Sequence, residues 1–86
     1  MNPEAIILEI VQAQPGITGI RLGSDAISLV YKKTGSIPVV NWMELIDRMV
    51  TRGQIVEVEY VAPPQDYRIK SLYFPAGTSV TVREPA

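Results

Sequence analysis

Residues 41–74 read NWMELIDRMVTRGQIVEVEYVAPPQDYRIKSLYF, and this stretch decides the fold. At helical spacing, its first part separates one broad apolar face from a polar face. Asn41 is a suitable N-cap, because its side-chain oxygen can accept hydrogen bonds from the free amides of the first turn. Gly53 can adopt the left-handed conformation that ends a helix. The pattern therefore predicts an amphipathic helix between these two residues.

The two faces of this helix have different predicted roles. The predicted core face consists of Trp42, Met43, Leu45, Ile46, Met49 and Val50. The predicted exposed face consists of Asn41, Glu44, Asp47, Arg48, Thr51 and Arg52. No apolar residue interrupts the exposed face, so we expect it to be in water or against a partner.

Two alternating runs follow the helix, and a turn-rich segment separates them. Residues 55–61 and 68–74 have the period-two pattern of β-strands. The intervening residues 62–67 contain two adjacent prolines, which cannot continue a ladder of backbone hydrogen bonds. The pattern predicts a β-hairpin with a six-residue tip.

The apolar pattern also predicts the register of the hairpin. Folding about that tip places Tyr60 opposite Ile69, and Glu59 opposite Lys70 as an exposed charge pair. The predicted core face is Val56, Val58, Tyr60, Ile69 and Tyr73. A slip of one residue would turn Glu57 and Glu59 toward the core, so the pattern favours this register.

Two shorter helices are predicted before residue 41. Asn2 can cap the first helix, and Pro3 suits its first position. The predicted core stripe of the first helix is Ile6, Ile7, Ile10 and Val11. Ser24 is the expected cap of the second helix, and Gly35 is its expected end. Its predicted inward face is Ala26, Ile27, Val30 and Tyr31.

The segments that join these helices also carry expectations. Residues 17–21 are β-permissive and compatible with a brief third strand at the edge of the hairpin. Residues 37–40 are apolar for a connection, so we expect them to be partly buried. After residue 74, a turn leads to a possible short strand at 79–82.

Composition restricts the class of protein. A chain of 86 residues predicts one domain over 1–86, with its core at about 2–74 and a C-terminal tail at 75–86. Cysteine and histidine are both absent, which removes disulfides, thiolate metal sites and the commonest general base. No apolar run reaches the roughly 20 residues of a membrane span. We therefore expect a cytoplasmic protein that does not contact membranes.

The sequence contains no nucleotide-binding loop, metal-ligand cluster or set of nucleophile and base. It therefore predicts no catalytic residue, no metal site and no cofactor, and we do not expect an enzyme. The net charge of −1 neither marks nor excludes a nucleic-acid-binding protein.

The predicted order is helix, short extended segment, helix, helix, strand, turn and strand. With an amphipathic third helix that leads through a glycine into a hairpin, the chain resembles the winged helix-turn-helix superfamily. That resemblance implies an α+β fold of three helices with a C-terminal β-hairpin wing. It also implies that residues 41–52 are similar to a recognition helix in the DNA major groove, and residues 63–67 to a wing tip. The turn before the third helix is longer than this motif usually has.

Three candidates for DNA contact lie together on one flank of the third helix. Arg48 can donate two hydrogen bonds to guanine, or it can pair with Glu44 one turn earlier. Asn41 can pair with adenine, or it can serve only as a helix cap. Arg52 can bind phosphate, or it can only complement the helix dipole. We expect this flank and the wing to form one contact surface.

Four further candidates complete the predicted site. Thr51 lies on the same exposed face, and Lys33 can reach phosphate if the second helix crosses the DNA backbone. Arg68 is near the wing without an acidic partner, whereas Tyr67 can stack on a base or pack on the hairpin. For Lys33, the alternative is an ordinary solvated position.

These observations predict a small DNA-binding domain, such as a transcriptional regulator or a mobile-element protein. Glu44 and Asp47 share the exposed face of the third helix, and acidic residues there oppose phosphate. A winged-helix protein-interaction module without nucleic-acid affinity is therefore the alternative. The sequence leaves the oligomeric state open.

Overall fold

The computed structural model describes residues 2–61 and 69–79, except for the side chains of residues 60, 61, 69 and 70. Within this part, the chain forms three α-helices and a three-stranded antiparallel sheet. The elements are α1 (Pro3–Ala13), β1 (Ile17–Thr18), α2 (Gly19–Thr34), α3 (Trp42–Thr51), β2 (Ile55–Val61) and β3 (Ile69–Pro75). The strand order is β1, β3, β2. The α+β class is confirmed, and the arrangement is compatible with a winged-helix layout. The brief edge strand forms over Ile17–Thr18, whereas residues 19–21 of the expected segment belong to α2.

Local signals set the ends of α1 and α3 as predicted. Asn2 Oδ1 accepts from the amide of Glu4 at 3.0 Å, and Asn41 Oδ1 accepts from the amide of Glu44 at 3.2 Å. Each bond satisfies an amide that the first helical turn leaves free. Gly53 has φ of 75°, which ends the turn after α3 in the left-handed conformation.

The start of α2 differs from the prediction. The helix begins at Gly19 rather than after Ser24, and Thr18 Oγ1 caps it by accepting from the amide of Arg21 at 3.4 Å. The earlier start places Leu22 in the core, in one stripe with Ala26 and Val30. This phase turns two residues predicted to face inward, Ile27 and Tyr31, toward solvent. No loop separates β1 from α2, because Thr18 is both the last residue of the strand and the N-cap of the helix.

One apolar core joins all three helices to the sheet. Trp42 is buried, as predicted, and it belongs to the same cluster as Ile7, Ile10 and Val11 of α1. Met43 was predicted to face the core but is exposed, whereas Val50 packs partly buried against the core. The buried residues are Ile6, Ile7, Ile10, Val11, Ile17, Leu22, Ala26, Val30, Trp42, Leu45, Ile46, Met49, Ile55 and Tyr73.

The hairpin register is one residue away from the prediction. Glu57 lies opposite Tyr73, and Glu59 lies opposite Ser71 rather than Lys70. The core face of β2 therefore carries Ile55 and Glu57, because a shift of one residue exchanges the two faces of a strand.

The predicted core positions Val56 and Val58 lie on the other face and are only partly buried. Tyr73 is in the core as predicted, beside Ile17 of β1. The predicted orientations of the Tyr60 and Ile69 side chains lie outside the described part.

The connection between α2 and α3 is less buried than predicted. Ile37 and Val39 are exposed, and only Pro38 and Val40 are partly buried. The predicted tip at 62–67, with Tyr67, and the candidate Arg68 lie outside the described residues, as do residues 80–82 of the possible last strand. Among the described helices, none is long and apolar enough to cross a membrane.

Candidate nucleic-acid interface

Helix α3 turns its polar face away from the core. Burial of Trp42, Leu45, Ile46 and Met49 sets the rotation of the helix about its axis. The exposed residues are those predicted, with Met43 added: Asn41, Met43, Glu44, Asp47, Arg48, Thr51 and Arg52. This face presents two carboxylates and two guanidinium groups, so it has no strong net charge.

Arg48 is the cation of this face that is most available to a ligand. In the described part of the chain, no carboxylate oxygen lies within 4.0 Å of its guanidinium nitrogens. The alternative pairing with Glu44 is therefore not formed. Glu44 Oε2 instead accepts from Asn41 Nδ2 at 3.4 Å. The Arg48 guanidinium can offer its donors to an acceptor such as the guanine edge or a phosphate.

Asn41 is occupied as a cap. Its Oδ1 accepts from the amide of Glu44, and its Nδ2 donates to the carboxylate of the same residue. Both ends of the side-chain amide are used at the start of α3. Capping therefore accounts for the position of the Asn41 side chain, while one N–H of its amide nitrogen and one lone pair of its oxygen stay free for a ligand.

Arg52 and Lys33 both form ion pairs with α1. Arg52 Nη1 lies 3.3 Å from Glu4 Oε1, and Lys33 Nζ lies 3.1 Å from Glu9 Oε2. These pairs are exposed, and pairs of that kind contribute at most about 1 kcal/mol. A phosphate can therefore compete for either cation, but the neighbouring carboxylate lowers the local positive potential.

Thr51 has a local hydrogen bond. Its Oγ1 donates to the backbone carbonyl of Asp47 at 3.0 Å, one turn earlier in α3. The hydroxyl proton is engaged in the helix, while the oxygen can still accept. This arrangement is common for threonine in a helix and does not by itself indicate a ligand.

The two flanks of α3 face different parts of the molecule. Met43 lines an open groove with Ser71 and Tyr73 of β3, and the charge of Asp47 acts on Tyr73. Arg52, on the opposite flank, is bound to α1 through Glu4. In the described residues, the flank beside the sheet is therefore apolar and acidic, and the flank with the candidate cations is beside α1.

The groove between α3 and β3 was not anticipated from the sequence. It has a volume of about 490 Å³ and is mostly apolar. We call it the α3–β3 groove. The residues that line it are Thr18, Gly19, Ile20, Arg21, Met43, Ser71 and Tyr73. The signal that could have revealed it is Thr18 as a helix cap, since an earlier start of α2 brings Ile20 to this site.

Tyr73 forms the floor of the α3–β3 groove and is buried. Its hydroxyl donates to Glu57 Oε2 at 2.7 Å. Burial raises the pKa of Tyr73 well above its usual range, and the hydrogen bond and charge of Glu57 act in the same direction. The hydroxyl therefore stays protonated at neutral pH and acts as a structural donor.

No protein-family model matches the chain, and comparisons with curated proteins and with solved structures find no match either.

Proposed function

We propose that this domain binds duplex DNA, with α3 in the major groove and the β2–β3 hairpin on the backbone. The observation that carries the proposal is the exposed Arg48, which has no carboxylate partner among the described residues, on a helix whose polar face the domain leaves uncovered. The order of helices and strands is compatible with a layout that presents such a helix to DNA. A transcriptional regulator or a mobile-element protein would use a domain of this kind.

Within this proposal, Arg48 reads a base and the other cations hold the backbone. Two parallel donors on one guanidinium match the two acceptors of guanine in the major groove. Arg52 and Lys33 contact phosphate, which replaces their ion-pair partners Glu4 and Glu9. Tyr67 and Arg68 of the predicted wing remain proposed contacts, so the structural support comes from the helices.

The charges of α3 also predict how the binding behaves. Glu44 and Asp47 repel phosphate, so non-specific affinity is weak and the preferred sequence accounts for more of the binding energy. Neutralisation of two or three phosphates would give a slope of about −2 to −3 for log affinity against log salt concentration. A strongly basic recognition helix would give a steeper slope.

The test is a titration of the domain with random duplex DNA and with a duplex enriched by repeated selection, each at several salt concentrations. We expect binding to weaken as the salt concentration rises. We also expect Arg48→Ala to reduce the difference in binding free energy between the selected and the random duplex by about 1–3 kcal/mol. If the domain bound neither duplex in dilute salt, the proposal would be overturned. Equal weakening of all sequences by Arg48→Ala would leave DNA binding intact but remove its role in base readout.

A protein-interaction module is the second candidate, and a separate observation favours it. Six large apolar side chains in the described part are exposed, and all of them lie between residues 20 and 43. Three of them, Ile27, Tyr31 and Ile37, line one open groove, and contiguous exposed apolar surface of this kind is typical of protein-binding sites. Association that is insensitive to salt and retained without DNA would support this candidate.

A further inference from the structure

The exposed apolar side chains of α2 form one stripe along the helix. Ile20, Ile27 and Tyr31 are spaced by seven and four residues, so they lie on the same face. Their exposed fractions are 89%, 38% and 57%. Leu22, Ala26 and Val30 occupy the opposite face and hold it in the core. The outward stripe is therefore a consequence of how α2 is packed, since no rotation of the helix could bury both faces.

The connection after α2 extends this stripe into a groove. Ile37 is 70% exposed and stands across from the last turns of the helix. Together they enclose an open groove of about 370 Å³. The residues that line it, and define the α2 groove, are Ile27, Ser28, Tyr31, Lys32 and Ile37. A groove beside an apolar helical face suits the side chains of an amphipathic helix.

The charged side chain that lines the α2 groove is a lysine. Among the described residues, Lys32 is the only charged one that lines the groove, and Arg21 lies toward the other end of the same helix. The one carboxylate of α2, Asp25, lines the neighbouring pocket with Lys32, but it is only partly exposed and accepts from Gln14 Nε2 at 3.1 Å. A partner with apolar residues and carboxylates would complement this surface in both respects.

We propose that the α2 groove binds an acidic amphipathic helical segment of another protein. Apolar side chains of that segment, spaced by three or four residues, enter between Ile37 and the stripe formed by Ile27 and Tyr31. Its carboxylates lie beside Lys32. None of these residues is among the candidates for DNA contact, so this proposal stands apart from the proposed DNA binding.

A second copy of the chain fits the groove less well. A two-fold contact places the same surface against itself. Lys32 would then meet a lining that also contains a lysine and no carboxylate among the described residues. The charges of such a contact would repel, whereas an acidic segment would be attracted.

The test begins with a selection that does not presuppose the partner. A library of random 16-residue peptides displayed on yeast is sorted with the labelled domain. Binders are then removed with the variant carrying Ile27→Ser, Tyr31→Ser and Ile37→Ser, whose fold is checked by circular dichroism. We expect the remaining peptides to be acidic and to carry apolar residues at helical spacing. The absence of enriched peptides, or enrichment of neutral or basic ones, would overturn the proposal.

Single variants then examine the best peptide by fluorescence anisotropy. We expect Lys32→Glu to weaken binding by roughly threefold to tenfold, because attraction becomes repulsion. Replacing the glutamates of the peptide by glutamines should give a similar loss. Val39→Ser is the matched control, since Val39 is fully exposed in the same connection but does not line the groove.

Two results at this stage would contradict the proposal. A loss for Val39→Ser as large as that for the triple variant would indicate non-specific apolar adhesion rather than a defined groove. Concentration-dependent dimerisation in sedimentation experiments, abolished by the triple variant, would assign the groove to a second copy of the chain.

Discussion

Tyr73 and Glu57 lie directly opposite each other on β3 and β2, and the tyrosine hydroxyl donates to Glu57 Oε2 at 2.7 Å. The bond gives the tyrosine, which is 1% exposed, a partner for its only polar group. It also gives a partly buried glutamate a donor on the core side of the sheet. Without this hydrogen bond, the observed register would place an unpaired carboxylate against the core, which would be unfavourable.

Removal of the hydroxyl tests the contribution of this bond. Tyr73→Phe should lower the free energy of unfolding by about 1.5–3 kcal/mol, the range for hydrogen bonds to charged groups. Glu57→Gln retains an acceptor oxygen and should cost less. Urea denaturation followed by circular dichroism measures both. A Tyr73→Phe protein as stable as wild type would show that the bond contributes no net stability.

The same bond predicts a loss of stability in alkaline solution. The pKa of Tyr73 is raised above 10.0 in the folded state, first by burial and then by Glu57. The stability that the protonated Tyr73 hydroxyl contributes is complete below pH 10. It is lost as the pH rises toward the folded pKa, because in this range the unfolded chain releases the proton and the folded chain keeps it. The advantage of wild type over Tyr73→Phe should shrink by up to about 1.4 kcal/mol per pH unit above pH 10. A constant difference between pH 9 and 11.5 would argue against a raised pKa.

Two adjacent residues of β2 test the register. Ile55 is 1% exposed on the core face, whereas Val56 is only partly buried on the other face. Ile55→Asp should unfold the domain, because it buries a carboxylate that has no donor. Val56→Asp should keep a cooperative thermal transition at a lower temperature. The reverse result would favour the register predicted from the alternating pattern.

Trp42 tests the core beneath α3. It is the single tryptophan of the chain and is buried, so its fluorescence reports on the core. Trp42→Ala should cost about 3–5 kcal/mol, a large part of the stability of a small domain. Met43→Ala, at the neighbouring exposed position, should cost about 1 kcal/mol or less. Similar losses for both variants in urea denaturation would contradict the assigned faces of the helix.

The acidic residues of α3 test the proposed DNA surface. Glu44→Gln and Asp47→Asn should each tighten binding to random duplex in dilute salt, since each removes a charge that repels phosphate. Asp25→Asn provides the same change of charge on α2, where it is hydrogen-bonded to Gln14. Filter binding or anisotropy measures all three. An equal gain for Asp25→Asn would mean that net charge alone, and not the α3 surface, determines the affinity.

Much of the fold was predictable because it depends on neighbouring residues. The caps at Asn2 and Asn41 form bonds within three residues, and the stripes of α1 and α3 follow from the helical period. The glycine after α3 acts through its own backbone conformation. Each of these signals is complete within one or two turns of sequence, so local reasoning could identify it.

Tertiary contacts decided the hairpin register and the phase of α2. The alternating pattern placed Glu57 in solvent, because nothing near it in sequence offers a donor, but Tyr73 does so from 16 residues away. The pattern likewise favoured Ile27 and Tyr31 for the core. In the structure, α2 starts earlier and buries Leu22 with Ala26 and Val30 instead.

The state of the candidate cations also depends on distant residues. Arg52 meets Glu4 from 48 positions away, and Lys33 meets Glu9 from 24 positions away. Side-chain chemistry identified these cations as candidates for phosphate contact, but only the packing of α1 against α2 and α3 decided that both have carboxylate partners. Local sequence determines what a side chain can bind, whereas the fold determines which groups come close enough to compete for it.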